Sequence, residues 1–193
     1  MYVDNDPVEL FRGWYEEARQ AVQRIDVVAL ATATTEGIPS VRMVSFKGLH
    51  DGGFTFCTDA RSRKGRELIA NPRAAIAFYW PELRRQIRVE GRCTKLPEAE
   101  SKRMFDLRER ESQFTAVASI QSEKMSDPAA LDRRLEQVRT QVGDEDLPRP
   151  PHWSGFMLEP QSIEFWMGKE HRRHRRLLYE FRENGWTRSE LFP

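Results

Sequence analysis

After residue 26 the chain settles into a rhythm that restricts its fold more than any other feature. "VVALATAT", "SVRMVSFKG" and "FTFCT" are short runs rich in β-branched and aromatic residues, and "TEGIP" and "HDGG" between them are turn signals. Three antiparallel strands joined by hairpins are expected. "RAAIAFYW" and "RRQIRVEGRCTKL" add two more, split by Pro81. "SGFMLEPQSIEFWMG" and "RRLLYEFRENGWTRSELFP" read as closing strands, with Asn184-Gly185 as a hairpin turn.

Helices interrupt this pattern. In "NDPVELFRGWYEEARQAVQR", Asp6 is placed as N-cap, Pro7 as first helical residue and Glu9 three after the cap. Leu10, Trp14, Ala18 and Ala21 or Val22 then recur at helical spacing. "SRKGRELIANP" reads as a short helix capped by Ser62 and stopped before Pro72. "PEAESKRMFDLRER" starts at Pro97, and "DPAALDRRLEQVRTQV" follows Asp127-Pro128. "GDEDLPRPPHW" reads as an extended connector. The expected class is α+β: a small, mainly antiparallel β-barrel with peripheral helices rather than a parallel sheet.

At 193 residues the chain is expected to form a single domain, 1–193. No apolar run reaches the ~18 residues of a membrane span, and "MYVDNDPVELF" lacks a secretory pattern. Cys57 and Cys93 lie far apart with no CxxC, which disfavours a disulfide framework or structural zinc and fits a reducing cytoplasm. With 31 basic and 30 acidic residues the net charge is +1, against the basic imbalance of nucleic-acid binders. No GxGxxG, P-loop or GxSxG is present.

Charge is nevertheless concentrated locally. Arg42 and Lys47 interrupt an apolar strand five residues apart, which places them on opposite faces unless a strand end or bulge intervenes. Thr58, Ser62, Arg63 and Lys64 meet at a strand-to-helix junction, a sound setting for a phosphate. Gln86 lies within a strand, where its amide could read a heterocycle's edge or simply face solvent. Arg108 and Ser112 share a face if that segment is helical. Trp166 offers the flat apolar face that flavins and nucleobases use, although most tryptophans are core. "EHRRHRR", residues 170–176, packs four arginines and two histidines together; His171 and His174 lack a third ligand at metal spacing. If extended, this stretch puts Arg172, His174 and Arg176 on one face, with Arg173 and Arg175 toward solvent or a salt bridge.

"RMVSFKG", "TDARSRKGREL", "NPRAAIAFYW", "RRQIRVEG", "IQS", "IEFWMGKEHRRHRRLLY" and "GWTRSELFP" occur in this order and spacing. In this the chain resembles the FMN-dependent pyridoxine (pyridoxamine) 5′-phosphate oxidase family over nearly its whole length. The resemblance implies a split-barrel homodimer with FMN in clefts at the subunit interface, and a C-terminal dimerisation and substrate segment at about 150–193. By resemblance, Arg42, Lys47, Thr58, Arg63, Lys64, Gln86, Gln121, Ser122, Trp166 and Arg176 would hold FMN, some from the other subunit. Lys47, Arg108, Ser112, Arg172 and His174 would meet a phosphorylated B6 vitamer, the last two as orienting and electrostatic groups. The implied reaction oxidises pyridoxamine or pyridoxine 5′-phosphate to pyridoxal 5′-phosphate, with molecular oxygen as acceptor and hydrogen peroxide as product. Two phosphorylated ligands need two cation clusters, which Arg63 with Lys64 and Lys47 with Arg108 supply.

Three positions depart from the family pattern. Met104 stands where a tyrosine usually contacts the substrate phosphate, a missing bond worth roughly 0.5–3 kcal/mol. Arg173 replaces an apolar residue and Lys169 a small one. These bear on substrate and affinity more than on FMN. A phenazine-biosynthesis type oxidase acting on an aromatic tricycle is the nearer rival; Lys47 argues against it, and Met104 and Arg173 keep it open. A non-catalytic flavin- or haem-binding split barrel is a second alternative. A nucleic-acid binder using "KEHRRHRR" is disfavoured by the charge balance.

Overall fold

A computed structural model of the protein describes residues 6–125, 127–143 and 145–193. Helix α1 (Pro7–Ala21) opens as its sequence requires: the Asp6 carboxylate accepts the Val8 N–H at 2.8 Å, and Pro7 sits in the first turn. Its buried stripe of Leu10, Phe11, Trp14 and Ala18 joins the main core. Phe11 meets Phe54 at 4.7 Å and Phe78 at 5.1 Å between ring centroids, so the helix covers the interior of the sheet that follows.

That sheet is a closed antiparallel barrel of six strands. They are β1 (Val27–Ala33), β2 (Pro39–His50), β3 (Gly53–Asp59), β4 (Arg73–Trp80), β5 (Arg85–Lys95) and β6 (Trp153–Met167). Their order is β3-β2-β1-β4-β5-β6, and β3 pairs with β6 to close the ring and remove both free edges. Strands β7 (Arg175–Arg182) and β8 (Gly185–Leu191) extend the sheet beyond β6. The 15-residue β6 serves both parts: residues 153–158 pair with β3 and residues 162–167 with β7. Alternation sets the two faces, with Val28 and Leu30 of β1 and Ile87 and Val89 of β5 buried inward.

The local signals settle the hairpins. Asp51 and Gly52 both take positive φ, 47° and 79°, the two-residue turn that matches strand twist. The β5–β6 register shifts between Glu90 and Gly91, and a Cβ on Gly91 would lie 1.9 Å from the Glu159 carbonyl oxygen. Pro160, which has no N–H to give the ladder, sits opposite that shift.

Outside the barrel, α2 (Arg63–Ala70) follows β3, and α3 (Glu98–Asp106), α4 (Arg110–Ala118) and α5 (Ala130–Val142) form a helical cover. Phe105, Phe114, Leu147 and Trp153 make a second buried cluster, with Cys57 and Met104 packed against it. Helix α4 was not expected. It starts four residues after α3 ends and buries only Phe114 and Ala118, so its apolar signal is thin. Pro97 acts as the cap of α3 rather than as its first residue. The segment 170–174 is not extended. Glu170–Arg172 is a short 3-10 turn with His171 and Arg172 at φ 52° and 58°, and the Arg173 N–H bonds the Glu170 carbonyl. The expected two-faced alternation therefore begins only with β7, at Arg175.

Candidate functional site

A cavity of about 370 Å³ opens where β2, β3 and the start of α2 meet, lined among others by Arg42, Lys47, Thr58, Lys64, Arg108 and Gln121. Arg42 and Lys47 reach it together despite their odd spacing. The β2–β3 register shifts between Phe46 and Leu49, and this irregularity falls at Lys47.

Lys64 lies at the centre. It is 8% exposed, and its ammonium donates to Thr58 Oγ1 at 3.1 Å and Gln121 Oε1 at 3.0 Å, both neutral acceptors. Burial pushes its pKa down, the Arg42 charge adds to that push, and Asp59 opposes it. A buried cation held by neutral groups gains from an arriving anion. Ser62 caps α2 by accepting the Gly65 N–H at 3.3 Å, so the helix N-terminus faces the same region. The loop after α4 closes the cluster: Gln121 Oε1 accepts from Thr58 Oγ1 at 2.8 Å, and Ser122 Oγ accepts the Arg63 N–H at 3.2 Å.

Arg42 and Arg63 are tied to a residue that the sequence reading passed over, Glu67. Arg63 Nε donates to Glu67 Oε1 at 2.8 Å, and Arg42 Nη2 approaches Oε2 at 3.4 Å. The available signal was the Arg63–Glu67 spacing of i, i+4 on a helix.

Arg108 forms the other cationic wall. Its guanidinium lies 5.2 Å from the Trp153 ring, and Nη2 donates to the Ser112 carbonyl at 3.2 Å. Arg108 belongs to the α3–α4 turn and Ser112 to α4, so the two do not share one helix face; they meet through the backbone oxygen rather than the hydroxyl. Arg108 Nε is buried with no hydrogen-bond partner among the described residues, a donor awaiting an acceptor. Beside it, burial pushes the Cys57 thiol up to about 11 against the pull of Lys47 and Arg108, so it stays protonated at neutral pH. Cys57 Sγ lies 3.7 Å from Met104 Sδ.

The remaining expected residues form a second group elsewhere. Gln86, Trp166 and Arg176 are register neighbours across β5, β6 and β7. The His174 ring lies 4.7 Å from the Trp166 ring, and its Nδ1 accepts the Lys169 N–H at 3.3 Å, which leaves the neutral ring's proton on Nε2. Arg176 makes a two-bond pair with Glu164, Nε to Oε1 at 2.7 Å and Nη2 to Oε2 at 3.2 Å, and Arg88 joins the same carboxylate at 3.2 Å. Glu164, 5% exposed, was also passed over. Arg172 is exposed on its turn and Arg175 pairs with Glu190 at 3.0 Å. Among the described residues, none of this second group lines the first cavity.

Residues 15–142 match the family model for pyridoxamine 5′-phosphate oxidase, and residues 153–193 match the pyridoxine 5′-phosphate oxidase C-terminal dimerisation region. The chain is 44% identical to a pyridoxine/pyridoxamine 5′-phosphate oxidase of Salinibacter ruber, covering 100% of this chain and 91% of that protein. It is 45% identical to one from Rhodospirillum rubrum, covering 98% of each. PhzG from Burkholderia lata 383, solved in complex with tetrahydrophenazine-1-carboxylic acid, superposes with a TM-score of 0.93 at 35% identity, covering 98% of this chain and 94% of that one. With these matches spanning barrel and C-terminal strands alike, the chain belongs to the pyridoxamine 5′-phosphate oxidase family.

Proposed function

We propose that the protein is a homodimeric, FMN-dependent oxidase that converts pyridoxamine 5′-phosphate or pyridoxine 5′-phosphate to pyridoxal 5′-phosphate, with oxygen as acceptor and hydrogen peroxide as product. The carrying observation is the pair of distinct cation sets on one cavity. Lys64 is buried among neutral acceptors, and Arg108 presents a buried donor with no partner among the described residues. One phosphate from the cofactor and one from the substrate would answer both. Free Cys57 and Cys93 suit a reducing, cytoplasmic setting; among the described residues no helix is long and apolar enough to cross a membrane.

Arg42, Thr58, Arg63, Lys64, Gln121 and Ser122 would hold the FMN phosphate and ribityl chain. Gln86, Trp166 and Arg176 would face its ring system from the second copy, because they lie away from the first cavity in their own chain. The family's dimerisation region, matched at residues 153–193, supports that copy. FMN bound there supplies the hydride acceptor and the route of electrons to oxygen. Lys47, Arg108 and Ser112 would fix the substrate phosphate, which anchors the ring at a set distance and lowers the entropic barrier to reaction. His174, with Nδ1 occupied by the Lys169 N–H, has one proton to offer through Nε2. It would orient and polarise the substrate, with Arg172 beside it.

The test is turnover: the FMN-loaded protein should form pyridoxal 5′-phosphate and hydrogen peroxide from pyridoxamine 5′-phosphate, and failure with both vitamers would overturn the proposal. A second reading draws on the likeness to PhzG and on the sulfur pair Cys57 and Met104 beside the phosphate cations. It predicts faster oxidation of a reduced tricyclic carboxylate than of either vitamer. Lys47 and Arg108, the cations on the substrate side of the cavity, favour the first reading, since a phosphate answers them and a non-phosphorylated substrate needs fewer such charges.

A further inference from the structure

Glu67 is a carboxylate in a site otherwise built for anions, and its surroundings explain how it can be there. Its side chain is 7% exposed. Donors from three elements converge on it: Thr32 of β1, Ser40 of β2 at 2.7 Å and Arg42 of β2 at 3.4 Å on Oε2, and Arg63 of α2 at 2.8 Å on Oε1. Burial works to raise its pKa, but the bonds from Thr32, Ser40 and Arg63 and the Arg63 charge outweigh it and hold the carboxyl at about 2. The group is thus a fixed negative charge at any working pH.

We infer that Glu67 is a positioning residue for the cofactor phosphate: it sets the orientation of Arg42 and Arg63 without touching the phosphate itself. The inference rests on the FMN reading above. Arg63 is the side chain that most needs such help, being 55% exposed. A free arginine in that position loses rotamer freedom when a ligand orders it. Holding it beforehand by Nε removes part of that cost from binding, while its Nη groups are the ones that would face an oxyanion. Arg42 is treated likewise, with Nη1 on the Leu30 carbonyl at 3.2 Å and on Thr32 Oγ1 at 2.6 Å, and Nη2 on Ser40 Oγ at 2.6 Å. Two effects oppose each other when the acid is removed: the local field becomes more favourable to an anion, and the two guanidiniums lose their alignment. The inference requires alignment to win.

Riboflavin, which lacks the phosphate, separates this role from a purely structural one. Affinities of the intact dimer for FMN and for riboflavin would be measured by quenching of flavin fluorescence, in the wild type, Glu67→Gln, Glu67→Asp and Arg63→Ala. Glu67→Gln should weaken FMN about tenfold and leave riboflavin within about twofold. Glu67→Asp keeps the charge but shortens the reach, and should fall between. On an Arg63→Ala background the effect of Glu67→Gln should shrink, because the partner it acts through is gone. Equal loss for both flavins, or tighter FMN binding by Glu67→Gln, would overturn the inference. If Glu67→Gln does not fold, Ser40→Ala removes one of the four donors and is read by the same ratio, with an unchanged ratio overturning the inference. A wild type with no preference for FMN over riboflavin would overturn the phosphate reading itself, and the inference with it.

Discussion

Gly65 is the residue on which the Lys64 end of the cavity turns, and replacing it with alanine separates two forces of opposite sign. A Cβ at this position would lie 2.5 Å from the Ala60 carbonyl oxygen and 2.6 Å from Ala60 C and Cα, all backbone atoms. Ordinary contact begins at 3.4 Å, so α2 or the turn before it must retreat by about 1 Å. The Lys64 bonds to Thr58 and Gln121, now 3.1 and 3.0 Å, would then fall outside hydrogen-bonding range. Helix propensity alone favours alanine by ~1 kcal/mol, whereas forcing a methyl into packed backbone costs about 1–3 kcal/mol. Gly65→Ala should therefore lose up to about 2 kcal/mol, a fall in Tm of up to roughly 8 °C for a chain of this size. FMN affinity should fall at least about tenfold, since the buried cation is displaced with the helix. Urea unfolding followed by two probes, together with FMN titration, would check both numbers. A variant with a raised Tm and unchanged FMN affinity would refute the reasoning, because it would show that nothing holds α2 against Ala60.

Glu164→Gln should release Arg176 and Arg88 from their shared carboxylate and cost about 1–3 kcal/mol by chemical denaturation, with a matching loss of flavin affinity. Acid should destabilise the wild type through Glu67: its folded pKa of about 2 lies below the ordinary 4.5. That contribution is complete above the ordinary value and is lost as pH falls from 4.5 toward 2, so Glu67→Gln should flatten the Tm profile over this interval.

What the sequence made legible was local. The Asp6 and Ser62 caps and the Asp51-Gly52 turn depend on residues within a few positions of each other, and each lies where its chemistry places it; the last hairpin turns one residue earlier than expected, at Glu183 and Asn184 between the paired Arg182 and Gly185. Closure of the barrel through Thr55↔Met157 and Phe56↔Phe156 joins strands a hundred residues apart, which no window of sequence contains. Helix α4 and the turn at 170–174 were missed for a different reason. The first has too few buried residues to show a period, and the second depends on His171 and Arg172 taking a backbone region that glycine usually fills. For the site, composition offered only clusters of charge; family resemblance supplied the residue set. The carboxylates Glu67 and Glu164, which hold those cations, carry no motif: Glu67 offered only its i, i+4 spacing from Arg63, and Glu164 emerges from the distances around it.

On the proposed reading, the two groups of residues form one site only across two copies of the chain. Lys64→Gln disables the first group and Arg176→Leu the second, and each variant alone should be nearly inactive toward pyridoxamine 5′-phosphate. Co-refolded in equal amounts, half of the dimers are mixed and each mixed dimer keeps one site with both groups intact. Recovery of about a quarter of the wild-type rate is expected. No recovery, with mixed dimers verified by native mass spectrometry, would contradict it and place the whole site within a single chain.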